Sequence, residues 1–157
     1  MDNFFKNYKS IKRKEIILVI AQLLIIFLHF LNFTSLNSSR FVVLNSYKIL
    51  FAILIIIIGI IGIILSIKDL GNNFSPFPKP MKNGTLVTVG VYKWIGHPMY
   101  YSTILISIGI FILYLNIFNL ILTISLIIIF KNKIKIEEEY LKSKYKNFHI
   151  FKKNLKI

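Results

Sequence analysis

Apolar residues in this chain are gathered into four long blocks, at 16–31, 49–67, 100–115 and 117–130, with polar and basic segments between them. A run near 20 residues, rising about 1.5 Å per residue, matches a hydrocarbon layer roughly 30 Å thick. The first two blocks have that length. The last two are shorter and are divided by Asn116, with Asn119 just beyond it, so they predict a tight helical hairpin. The pattern therefore predicts an all-α, polytopic membrane protein forming a single domain over 1–157. Its spans are expected at about 16–33, 49–67, 99–115 and 117–130. A cytoplasmic loop covers 68–98, and an amphipathic C-terminal cytoplasmic helix covers about 131–148.

Composition agrees with the blocks. The 157 residues are 55% hydrophobic, and mean hydropathy is +0.68. With no cysteine, the chain has no disulfide, thiolate nucleophile or cysteine metal ligand, and no metal site is expected. The first block follows Lys12-Arg13-Lys14 as a signal peptide would, but it is long and no small-residue cleavage site follows, which favours a retained span. The net charge of +14 raises the question of nucleic acid, and the placement of the charge answers it. Of the 20 Lys and Arg, five precede the first block, two lie between the first and second, four between the second and third, none between the third and fourth, and nine follow the last. That alternation is what the positive-inside rule requires of four spans with both termini cytoplasmic. Basic ends also suit an anionic leaflet, so the expected partner is the bilayer and not nucleic acid.

The spans and connectors carry few unusual residues. In the first span Gln22 is an isolated amide, and His29 reads as an interfacial or helix-satisfied imidazole. Gly59 and Gly62 lie on nearly one face of the second span, which suits close helix contact within the chain or across a dimer. In the 68–98 loop, Pro76, Pro78 and Pro80 disfavour helix. Asn83-Gly84 marks a turn, and "TLVTVG" after it reads as a short extended piece. Phe74, Phe77, Tyr92 and Trp94 would anchor this loop on a membrane surface or over a pocket. Past the fourth span, continued helix would align Phe130, Ile134, Leu141, Tyr145 and Phe148 as one apolar stripe. At about 100° per residue, Glu137 and Glu138 flank that stripe while Glu139 points away. The simpler reading of Glu138 is an ion pair with Lys142 at i, i+4.

The chemistry concentrates in "GVYKWIGHPMYYS", residues 90–102, which holds the only Trp of the chain. Pro98 suits the first turn of a helix, where a missing N–H costs nothing. His97 then sits at a helix start whose amides and dipole favour an anion, and Tyr100 adds a hydroxyl one turn in. The Glu137/Glu138 pair lies at the same membrane level, and the hairpin makes the two helices neighbours. A site preferring an anion at one end and a cation or hydroxyls at the other suits a zwitterionic ligand.

These residues resemble the isoprenylcysteine carboxyl methyltransferase-like group, small membrane enzymes related in pattern to phospholipid methyltransferases. The family pattern runs roughly G-x-Y-x-x-x-R-H-P-x-Y-x-G, then two spans, then E-E-x-x-L. Gly90, Tyr92, His97, Pro98 and Tyr100 match the first part; Glu137, Glu138 and Leu141 match the second. The resemblance covers about 70–151. It implies S-adenosylmethionine as cofactor, held by Gly90, Tyr92, His97, Pro98, Tyr100, Glu137 and Glu138. It also implies a lipophilic or isoprenoid-like acceptor, with a carboxylate among the candidate groups. On this reading His97 and the helix start meet the methionyl carboxylate, and Glu137 or Glu138 meets ribose hydroxyls or the ammonium. No catalytic residue or general base is assigned. The chain departs from the pattern at Gly96, which stands where the family has arginine, and at Ser102, which stands where it has glycine; Lys93 is the nearest cation in sequence. The alternatives are a catalytically inactive or non-enzymatic small basic membrane protein of the same fold, and an NADPH-dependent membrane reductase. The acceptor and the oligomeric state stay open.

Overall fold

The computed structural model describes residues 12–34 and 46–155. Lys6, Lys9, Arg40 and Lys156, four of the basic residues behind the expected orientation, lie outside these segments, as do both termini. The described residues form helices and loops without a strand. The helices are α1 (Arg13–Thr34), α2 (Ser46–Leu70), α3 (Pro98–Tyr114), α4 (Ile117–Lys144) and α5 (Phe148–Lys153), with 3-10 turns at Gly71–Asn73 and Gly90–Lys93. A helix therefore stands at each of the four apolar blocks. Among the described residues two helices are long and apolar enough to cross a membrane, α2 with its 3-10 extension and α4. The 17 residues of α3 rise about 25 Å, short of a roughly 30 Å hydrocarbon layer.

The hairpin forms for a local reason. Leu115 adopts a left-handed conformation with φ 44°, and the Asn116 side chain caps α4 by accepting from the Asn119 amide at 2.7 Å. The helix expected separately at 131–148 is instead the distal part of α4, unbroken from the hairpin to Lys144. Tyr145 then turns to extended backbone, and Asn147, a poor helix former, precedes the short α5. The Tyr145 hydroxyl donates to the Gly84 carbonyl at 2.7 Å, so the break turns a side chain toward the loop. "TLVTVG" joins no sheet.

Helix α2 packs most extensively on α3. A Cβ on Gly59 would come within 2.8 Å of the Ser102 carbonyl, and one on Gly62 within 2.2 Å of the Ser102 hydroxyl. The glycine pair thus serves contact within the chain. On the other side α1 runs antiparallel to α4, joined by three polar links at successive depths. Tyr140 donates to Glu15 at 2.6 Å, and Lys133 donates to Gln22 at 2.5 Å. Deepest, His29 Nδ1 donates to the Ile25 carbonyl at 3.0 Å and its Nε2 accepts from Ser107, whose hydroxyl lies 2.7 Å from that of Thr123. His29 is therefore a helix-satisfied imidazole, and it also ties α1 to α3 and α4. Phe130 and Leu126, each 1% exposed, form the apolar centre with Tyr100 and Ile25. The broad exposed faces of α1 and α2 carry Ile, Leu and Phe, as a lipid-facing surface does.

Candidate active site

The site forms where the loop, the start of α3, the distal half of α4 and α5 meet. Gly90 sets the loop. It has φ +59°, and its Cα is so close to Asp69 that a Cβ would lie 1.9 Å from Oδ2. That carboxylate accepts the Val91 amide at 2.8 Å and fixes the 3-10 turn to the end of α2. The turn carries Tyr92 into the interior, and the chain then reaches His97, the residue that caps α3, and Pro98 at the first helical position. The amides of Tyr100 and Tyr101 donate to the His97 carbonyl, and Pro98 has none. The helix start therefore offers fewer amides to a ligand anion than the motif alone implied.

His97 instead faces the two carboxylates. Its Nδ1 is 3.6 Å from Glu137 Oε2, and its Nε2 is 3.7 Å from Glu138 Oε1. Both distances exceed a direct hydrogen bond but lie within ion-pair range. Tyr100 donates to Glu137 Oε2 at 2.8 Å, and its ring stacks between His97 and Phe130, with centroids at 5.7 and 4.8 Å. The two sequence motifs, about 40 residues apart, thus converge on one polar floor. Above it lies a cavity of about 880 Å³, part of it open to solvent, walled by Phe77, Met81, Tyr145, Phe148 and Phe151. Burial first, then the charges of Glu137 and Asp69, push the Tyr92 phenol well above its ordinary range, while a hydrogen bond with Ser66 acts the other way.

Of the residues singled out from sequence, Tyr92, His97, Tyr100, Glu137 and Glu138 line the cavity. Gly90 and Pro98 do not; they shape the backbone that delivers the others. Phe77 and Tyr92 lie over the cavity, whereas Trp94 and Phe74 stay exposed. Lys93 does not stand in for an arginine at position 96, because its ammonium lies over the Trp94 ring, 5.6 Å from the centroid. Among the described residues the lysine lining this cavity is Lys79. A second lysine, Lys152 of α5, pairs with Glu138 Oε2, in place of the i, i+4 partner Lys142. Lys152 lies 14 positions beyond Glu138 across a helix break, so no helical period pointed to it.

Lys133 also escaped sequence reading. It is 1% exposed, donates to the Pro76 carbonyl at 3.2 Å as well as to Gln22, and lies 5.1 Å from the Tyr100 ring centroid. It holds the proline loop down on the bundle directly beside the site.

Residues 51–143, more than half of the chain, match the profile of the Isoprenylcysteine carboxyl methyltransferase (ICMT) family. No curated protein and no solved structure matches the chain. The matched segment carries both halves of the polar floor, and this chain belongs to the ICMT family, a family of membrane methyltransferases.

Proposed function

We propose that the chain is an S-adenosylmethionine-dependent methyltransferase that modifies a lipophilic acceptor at the cytoplasmic surface of the membrane, with both termini on that side. The observation that carries this reading is the convergence of His97, Tyr100, Glu137 and Glu138 beneath one aromatic-walled cavity. The donor set fits the cofactor. Glu137 and Glu138 would take its ammonium or ribose hydroxyls, Lys79 its carboxylate, and the aromatic and methionine wall its adenine. The bound cofactor would supply an electrophilic methyl group on a sulfonium.

The chain's own part is positioning. Tyr100 fixes Glu137 and Lys152 fixes Glu138, with His97 between the two carboxylates, and the hydroxyl of Tyr92, neutral across the working pH range, lines the cavity without adding charge. Keeping the carboxylates off the sulfonium itself is favourable, because that sulfur becomes neutral as the methyl leaves and such a contact would stabilise the ground state more than the transition state. Rate would then come from alignment and from exclusion of water by the loop and α5. An acceptor carboxylate needs no general base at neutral pH. The non-enzymatic alternative drew its support from Gly96; Lys79 and Lys152 supply positive charge at the site without an arginine there, which favours the enzyme reading.

Calorimetric titration of purified protein with S-adenosylmethionine tests the proposal. Binding in the micromolar range is expected, weakened about tenfold or more by Glu138→Gln and by His97→Ala, since a hydrogen bond to a charged group contributes about 1.5–3 kcal/mol. No detectable binding at millimolar cofactor in a folded sample would overturn it.

A further inference from the structure

Glu138 borders two spaces, and α5 contributes to the walls of both. Phe148 and Phe151 face the cavity already described. Lys152 faces an adjoining one of about 680 Å³, part of it open to solvent, which also takes in Tyr101 and Ile134. Leu155, just past α5, lines both and is seated against a glycine, since a Cβ on Gly96 would lie 3.0 Å from a Leu155 methyl. The hold of α5 on this place is slight. The helix is six residues long and follows a break in the chain at Tyr145. Among the described residues, its ion pair is Lys152 with Glu138. The two ends of that pair differ: the lysine side chain is 47% exposed and the carboxylate 17%. Lys152 can therefore return to water, whereas Glu138 needs another cation in its place. Lys133, at 1% exposed, has no such freedom. Both oxygens of Glu138 have a neighbour, Lys152 at Oε2 and His97 at 3.7 Å from Oε1.

We propose, resting on the cofactor reading above, that Lys152 is an internal competitor for the ligand ammonium at Glu138, so that α5 latches the site and a ligand carrying an amino-acid end releases the latch. The ion pair that orders Glu138 also occupies it. An ammonium arriving at Glu138 meets Lys152 at contact distance, and two like charges on one carboxylate repel. His97 is 11% exposed, far less than Lys152, so the lysine is the group that yields. Glu138 then keeps a cation and stays paired, while α5 loses its ion pair to α4. The latch discriminates between ligands. One with an ammonium opens it, and an adenosine thioether without the amino-acid end leaves it closed. Because the pair is half exposed, the effect is severalfold and not orders of magnitude.

Calorimetry on the full chain with three probes tests this: S-adenosylmethionine, S-adenosylhomocysteine, and methylthioadenosine, which lacks the amino-acid end. Lys152→Gln should tighten binding of the first two about threefold to fivefold, the scale of a half-exposed ion pair, and leave the third unchanged. Lys152→Arg should leave all three as they are. So should Lys153→Gln, which removes an exposed charge from the same helix. S-adenosylhomocysteine has the ammonium without the sulfonium, so an equal gain for it separates competition at Glu138 from general repulsion of a cationic ligand. Unchanged or weaker binding of S-adenosylhomocysteine to Lys152→Gln, or an equal gain for methylthioadenosine, would overturn the proposal. The latch is also read without any ligand. The chain has no cysteine, so Leu141→Cys places a single thiol in the first cavity, one turn from Glu138. Adding Lys152→Gln should speed its labelling by N-ethylmaleimide about threefold to fivefold, and adding Lys152→Arg should not. An unchanged rate would likewise overturn the proposal. Faster labelling with no binding of S-adenosylmethionine sinks the methyltransferase reading and keeps Lys152 as the latch on α5, while cofactor binding with an unchanged labelling rate does the reverse.

Discussion

Gly90→Ala tests whether the loop glycine acts through geometry. Gly90 is left-handed, which costs an alanine about 1–2 kcal/mol, and its Cβ would fall 1.9 Å from Asp69 Oδ2. That overlap cannot be tolerated, so Asp69 must leave and give up the Val91 amide, a charge-assisted bond worth about 1.5–3 kcal/mol. Together the penalty on the observed loop is roughly 2.5–5 kcal/mol. It falls on the turn that delivers Tyr92 and His97, so cofactor affinity should drop by about 10² or more. Gly71→Ala is the control. Gly71 is left-handed too, with φ +48°, but nothing lies within 4 Å of its built Cβ. It should cost only the backbone term and about tenfold or less in affinity.

Calorimetry with S-adenosylmethionine on both variants and on Asp69→Ala completes the measurement. Asp69→Ala removes the hydrogen bond and the obstacle together, so adding Gly90→Ala to it should cost much less than Gly90→Ala costs alone. Equal losses for Gly90→Ala and Gly71→Ala, or additive losses in the double variant, would refute the argument that Asp69 makes position 90 a glycine.

Other variants probe the remaining contacts. Tyr100→Phe removes the 2.8 Å bond to Glu137 while keeping the ring stack, so it should weaken cofactor binding about tenfold with little change in detergent unfolding. Gly62→Ala should destabilise by about 1–3 kcal/mol through the collision with the Ser102 hydroxyl, and Ser102→Gly should recover most of that loss in the double variant, read by unfolding midpoint. Lys133→Met leaves Gln22 and the Pro76 carbonyl without their donor, at about 1–3 kcal/mol each, and should speed proteolysis within residues 71–89 more than elsewhere.

What could be read from the sequence was whatever depends on neighbours along a helix. The apolar blocks located four helices, Asn116 marked the hairpin it caps, and the 100° period placed Glu137 and Glu138 on the inner side with Glu139 outside. What could not be read depends on pairs distant in sequence. The partner of the Val91 amide beside Gly90 is Asp69, 22 residues earlier, and the partner of Lys133 is Gln22, 111 residues earlier. Lys152 reaches Glu138 only because the chain breaks at Tyr145 and α5 turns back toward the end of α4, a break accompanied by the Tyr145 contact with the loop at Gly84. Lys93, adjacent in sequence to the motif, is diverted by its immediate neighbour Trp94.

The buried polar links between α1 and α4 bear on the site through register. Packing and hydrogen bonds fix how far one helix slides along another. Here α1 meets α4 at Glu15–Tyr140, at Gln22–Lys133 and, through Ser107, at His29–Thr123, three depths about two helical turns apart. A slip of one turn would move α4 by about 5.4 Å and break all three at once. The same slip relative to α3 would part Glu137 from Tyr100 and His97, whose contacts span only 2.8 and 3.6 Å. Ser107 couples the two adjustments because its hydroxyl touches both α1 and α4 from α3. An uncharged side chain at 133 would avoid the cost of burying an ammonium. It would also remove the link that joins the register of α4 to the loop through the Pro76 carbonyl. The buried lysine therefore belongs to the alignment of the acidic pair, though it touches neither cavity.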